Sequence, residues 1–96
     1  MGIAVRVLNG GRGIEDRFTD DPERSLFQFV LDAPDTSVRW GISEYKETLF
    51  NSKQAYQLVR EMDTLPADSL TPVLRRLRES AEWVYKRTGY LQFIGD

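Results

Sequence analysis

The segment from Thr71 to Gly89 restricts this chain more than any other, because its apolar residues follow one period over more than three helical turns. Val73, Leu74, Leu77, Ala81, Val84 and Tyr85 recur at three-and-four spacing, which places them on one face of a helix. Thr71-Pro72 supplies an N-cap followed by a proline at the first helical position, and Gly89 is the expected left-handed residue at the far end. A second such stripe, Ala55, Leu58, Val59, Met62 and Leu65, follows Asn51 and Gln54, which have the spacing of a capping box. Pro66 disfavours helical geometry in the residue before it, so this helix stops by Leu65. Helices apolar on one face need a partner layer to cover that face.

The rest of the chain offers strands for that layer. Ile3 to Leu8 is aliphatic and ends at Asn9-Gly10-Gly11, a strand closing in a turn. Residues 12–21 read as a loop or weak edge strand anchored by Ile14 and Phe18. The run Ser25 to Asp32 is ambiguous. Asp21-Pro22-Glu23 could cap a short helix there, whereas Phe-Gln-Phe-Val-Leu prefers a strand, and the strand is favoured. After a turn at 33–36, Val38, Trp40 and Ile42 alternate with Arg39, Gly41 and Ser43, which predicts a strand with one apolar face. Thr48 to Phe50 is expected to pair back onto it, and Tyr90 to Ile94 forms a final strand. The predicted fold is a single α+β domain over 1–96, a mostly antiparallel sheet of four to five strands packed on one face by two α-helices.

With 96 residues, one core is expected, and 41% apolar and 29% charged residues are ordinary for a globular domain. Cysteine and histidine are both absent, which removes disulfides, thiol nucleophiles, the commonest general base and the usual ligands of zinc, copper and haem. A net charge of −2 argues against a protein whose affinity comes from covering phosphates. The amino terminus lacks the cationic and apolar regions of a secretory signal, and Arg6 stands where a myristoylation signal needs Ser or Thr. A cytoplasmic location with no membrane partner is expected.

Several constellations hint at chemistry. Gly10-Gly11-Arg12-Gly13 follows a strand but lacks the lysine and hydroxyl of a phosphate loop, so a hairpin is expected. Arg75, Arg76, Arg78, Lys86 and Arg87 concentrate charge on the second helix, yet Arg75 with Glu79, Arg78 with Glu82 and Glu82 with Lys86 stand four apart and can satisfy one another. Asp16, Asp20, Asp21 and Glu23 fit no calcium-loop spacing, and no metal, cofactor or catalytic residue is assigned. Glu44, Tyr45, Lys46 and Glu47 crowd acid, phenol and amine into four residues, but acid–base work needs a desolvated cleft to separate the pKa values. The candidate binding residues are Trp40, Glu44, Tyr45, Glu47, Trp83 and Tyr90, rich in the aromatic types that anchor interfaces. A homodimer is expected, with Ile3–Leu8 and Tyr90–Ile94 as the exposed sheet edges and Trp83 with Tyr90 as anchors.

The run Val38-Arg39-Trp40-Gly41, the stretch Glu44 to Asn51 with Gln54, and the ending Tyr90-Leu91-Gln92-Phe93-Ile94-Gly95-Asp96 resemble a family of small uncharacterised bacterial proteins. That resemblance implies a bacterial origin and carries no activity. In size and acidity there is a looser likeness to immunity proteins that neutralise toxins. The expected function is a non-enzymatic protein-binding or regulatory module; the alternative is a small enzyme or ligand-binding domain using carboxylate and tyrosine groups.

Overall fold

A computed structural model describes residues 2–95. Its sheet has four strands, β1 (Ala4–Leu8), β2 (Ile14–Thr19), β3 (Glu47–Phe50) and β4 (Tyr90–Ile94), in the spatial order β2-β1-β4-β3. All three pairings are antiparallel. Three helices accompany them: α1 (Ser25–Leu31), α2 (Ser52–Asp63) and α3 (Pro72–Arg87). The α+β class and the antiparallel sheet are as the sequence predicts, with four strands and a third, short helix.

The β1–β2 turn is built by one side chain. The Asn9 carboxamide oxygen accepts the N–H groups of Gly11 and Gly13, both at 2.9 Å, and the Asn9 amide donates to Glu15 at 2.8 Å. The glycine cluster is therefore a hairpin, and β2 is an edge strand. Phe18 anchors it in the core, whereas Ile14 points to solvent at 52% exposure.

Residues 25–31 form a helix and not the strand that their residue types favour. Two adjacent carboxylates decide the matter. Asp20 accepts from the N–H groups of Leu26 and Phe27 at 2.8 and 2.9 Å, and Asp21 accepts from the N–H and hydroxyl of Ser25 at 2.7 and 2.5 Å. First-turn donors that a strand would spend on a neighbour are thus satisfied locally. These bonds from Ser25 hold the Asp21 carboxyl below the usual carboxylate range. Leu26, Phe29 and Val30 then fall on one buried face.

Residues 38–41 are likewise not a strand but one turn of 3-10 helix. The Glu61 carboxylate, from α2, accepts the Val38 N–H at 2.5 Å, and the Arg39 guanidinium donates to the Phe29 carbonyl at 3.1 Å while lying over the Phe29 ring. Of the alternating trio only Ile42 is buried, and Trp40 is 61% exposed. With no strand there to receive it, β3 pairs with β4 instead.

The two long helices form where their sequence signals place them, but Thr71 caps α3 by position alone: its hydroxyl makes no hydrogen bond among the described residues. Asn51 and Gln54 form the reciprocal capping box at 2.9 and 3.0 Å, and Ala55, Leu58, Val59 and Met62 are buried. In α3, Leu74, Leu77, Ala81 and Val84 are buried while Tyr85 faces out. The left-handed residue closing α3 is Thr88, at φ 51°, and not Gly89. Gly89 serves a different need: a Cβ there would stand 2.3 Å from the Leu8 carbonyl oxygen, so only glycine lets the chain leave α3 against β1.

All three helices lie on one face of the sheet. Cross-strand partners Val5, Phe18 and Phe93, and Val7 and Leu91, share that face with Phe50, and every one of them belongs to the core. Phe50 and Phe93 meet edge to face at 5.3 Å. Among the described residues no helix is long and apolar enough to cross a membrane.

Candidate binding surface

Asp16 and Thr48 share the helical face with Val7 and Phe93, and Glu15 sits at a bulge; strand alternation places the other sheet residues on the opposite face, and none of them joins the core cluster. Register sorts them into rows. Arg17, Arg6, Gln92 and Leu49 form the central row across β2-β1-β4-β3; Thr19, Ala4, Ile94 and Glu47 form the row on one side; Ile14, Leu8 and Tyr90 form the row on the other. The result is a four-stranded face with aliphatic groups at both ends, Leu8 buried and Ile14 exposed among them, and cations on its β2–β1 side.

Arg6 and Arg17 stand directly opposite each other. The Asp20 N–H donates to the Ile3 carbonyl at 3.1 Å, which marks that pair as hydrogen-bonded and makes Arg6–Arg17 a non-hydrogen-bonded pair by alternation. In such pairs the Cα atoms lie about 4.5 Å apart and the side chains are at their closest. Arg6 is half-buried and Arg17 exposed, and neither forms an ion pair with another described residue. Arg12 adds a third cation at the rim, its guanidinium 4.8 Å above the Tyr90 ring. The acid on this face, Glu47, accepts a hydrogen bond from Gln92.

Of the six residues expected to bind, Glu47 and Tyr90 lie on this face. Trp40 projects from the 3-10 turn. Glu44 and Tyr45 occupy a turn pinned by the Ser43 hydroxyl, which accepts from the N–H groups of Tyr45 and Lys46 at 3.2 and 3.0 Å, and by Gly95, whose N–H donates to the Lys46 carbonyl. Tyr45 is 66% exposed there. Four of the better-formed concavities are lined without Glu44, Tyr45 or Glu47. Trp83 is half-buried against the core, stacked under Arg87 at 4.9 Å, and lines a groove of about 640 Å³ between α3 and β2. It therefore lies on the helical side of the sheet, so Trp83 and Tyr90 do not form one patch.

The expected edges are also corrected: β1 and β4 are the two central strands, and the free edges belong to β2 and β3. The edge of β2 is guarded. Arg76 pairs with Asp16 at 2.9 Å, donates to the Arg17 carbonyl at 3.3 Å and covers the Phe18 ring. On α3, Arg78 binds Asp63 and Glu82, and Lys86 binds Glu82, so most of that helix's charge is internally matched. The Arg75–Glu79 pair expected from spacing is not formed. Asp16, Asp20 and Asp21 are committed to Arg76 and to the start of α1, and among the described residues no group of three or more acids gathers as a metal cluster.

Sequence reasoning missed Arg6, Arg17, Leu49 and Ile94. The hairpin alone would set Asp16 opposite Arg6; a bulge between Val7 and Leu8 shifts the register by one residue and brings Arg17 there instead. Comparison with protein-family models, curated proteins and solved structures finds no match to this chain, so the reading of this face rests on its own geometry.

Proposed function

We propose that this protein is a non-enzymatic docking module that binds another protein through the open face of its sheet. The observation that carries the reading is the face itself, where Leu49, Ile94, Ile14 and Tyr90 share a surface with an arginine pair and, among the described residues, no helix covers them. Single apolar residues on a surface are ordinary; their contiguity with concentrated charge is what marks an interaction site. In its specific form the module is a regulatory inhibitor of the immunity-protein kind, which predicts a toxin encoded beside it and rescue of a poisoned cell.

Photo-cross-linking tests the location. A cross-linking residue at Leu49 or Gln92 captures a partner in native cells, whereas one at Trp40 or Tyr85, away from the face, does not. Equal capture from all four positions refutes the assignment. A small enzyme built on Glu44, Tyr45 and Glu47 is disfavoured by their open turn, which supplies no cleft.

Self-association is a second reading, favoured by the other free edge. The Gly95 N–H bond to Lys46 sets the alternation of β3, so the backbone groups of Glu47 and Leu49 point outward and take no partner among the described residues. Pairing of two β3 strands would continue the sheet. A monomeric mass by light scattering at high concentration ends this reading.

A further inference from the structure

We infer that the partner's contact segment is acidic, with apolar residues flanking its carboxylates, and that Arg6 and Arg17 together receive those carboxylates; this rests on the docking reading above. The argument begins with how the other arginines are used. Arg76 and Arg78 bind carboxylates, and Arg12, Arg24, Arg39, Arg60 and Arg87 lie over aromatic rings. Arg6, Arg17 and Arg75 have neither kind of partner among the described residues, but Arg75 stands alone on α3, whereas Arg6 and Arg17 are set side by side. Like charges directly opposite across a ladder oppose folding, and among the described residues no ion pair offsets this one. A local conflict without internal compensation marks a functional position.

The chemistry of the missing group follows. Guanidinium forks bind carboxylate or phosphate in paired hydrogen bonds, so the ligand is anionic. Two features favour carboxylates over nucleic acid. Ile94 and Ile14 in the neighbouring rows, with Leu49 beyond Gln92 in the same row, add aliphatic surface that bases would not use, and one face of the Tyr90 ring is already covered by Arg12. The molecule's net charge of −2 and Glu47 on the same face repel a polyanion at range.

The test uses three labelled probes in fluorescence anisotropy: a short peptide alternating glutamate with leucine and tyrosine, its lysine counterpart, and single-stranded oligothymidylate. The wild type binds the glutamate peptide in preference to both others, and added salt weakens the complex. Arg6→Glu combined with Arg17→Glu lowers that affinity about tenfold or more and transfers preference to the lysine peptide. Arg17→Glu alone turns cross-strand repulsion into attraction, so it melts above wild type while binding the glutamate peptide less. Tighter binding of oligothymidylate overturns the inference in favour of nucleic acid. Equal binding of both peptides, or an Arg17→Glu variant that melts no higher, overturns it as well. In either case capture from Leu49 and Gln92 still decides the docking reading separately.

Discussion

Substituting Gly89 by alanine probes the tightest backbone approach between the helical layer and the sheet. The added Cβ would lie 2.3 Å from the Leu8 carbonyl oxygen and 3.4 Å from the Trp83 ring. The first contact is with backbone, which cannot swing aside as a side-chain tip could, and Leu8 is itself paired with Tyr90 at the next step of the ladder. Relief requires β1 and β4 to separate at their junction. Overpacking costs about 1–3 kcal/mol, and a clash with fixed backbone belongs at the upper end of that range. For a domain of this size about 3 kcal/mol lowers the midpoint of thermal unfolding by roughly 10–20 °C. Gly41→Ala is the control, since a Cβ there meets nothing within 4 Å and no glycine has positive φ. It should be neutral or stabilise by up to about 1 kcal/mol. Thermal melts and urea titrations of both variants read the difference. A Gly89→Ala protein within about 0.5 kcal/mol of wild type, or a Gly41→Ala protein equally damaged, would refute the close-approach argument.

Other expectations follow from the same geometry. Thr88→Gly relieves a β-branched residue at φ 51° and should stabilise by about 1 kcal/mol, read as a higher urea midpoint. Asp21 has a folded pKa below its unfolded value, so its contribution is present above the ordinary carboxylate range and disappears as pH falls through the lowered value. Asp21→Asn should therefore flatten the acid limb of stability against pH below about pH 4 and leave its shape near pH 7 unchanged. Trp83→Ala removes a half-buried side chain packed on the core and should cost about 2–3 kcal/mol with no change in solution mass. A shift in mass at unchanged stability would show that Trp83 is an interface residue after all.

The sequence announced α2 and α3 because their signals are local: a capping box, a proline at the first turn, and stripes at helical period. It misled at 25–31 and 38–42 because the deciding groups lay elsewhere. Asp20 and Asp21 cap α1 from before it, and Glu61, distant in sequence, claims the Val38 N–H. The strands were legible as strands, but their order was not. Periodicity says which face of Tyr90–Ile94 is apolar and nothing about whether one neighbour or two flank it, so it does not tell a central strand from an edge. The binding face suffered the same way: Trp40 and Tyr45 drew notice as residue types, whereas Arg6 and Arg17 matter through register.

The placement of β1 beside β4 bears on how the chain reaches this state. Val5 faces Phe93, nearly the whole sequence away, so forming that contact closes a loop at a cost of about 4 kcal/mol in entropy. The β1–β2 hairpin and the α2–α3 pair need only short-range closure and can form early. Neither has the centre of a sheet until β4 arrives, and β3 has no partner at all without it. Assembly is therefore expected to be limited by one late, non-local step, with folding slow for the chain's length. Truncating side chains at Val5 or Phe93 should then slow folding more than it accelerates unfolding, and the opposite partition in stopped-flow kinetics would refute this order of assembly.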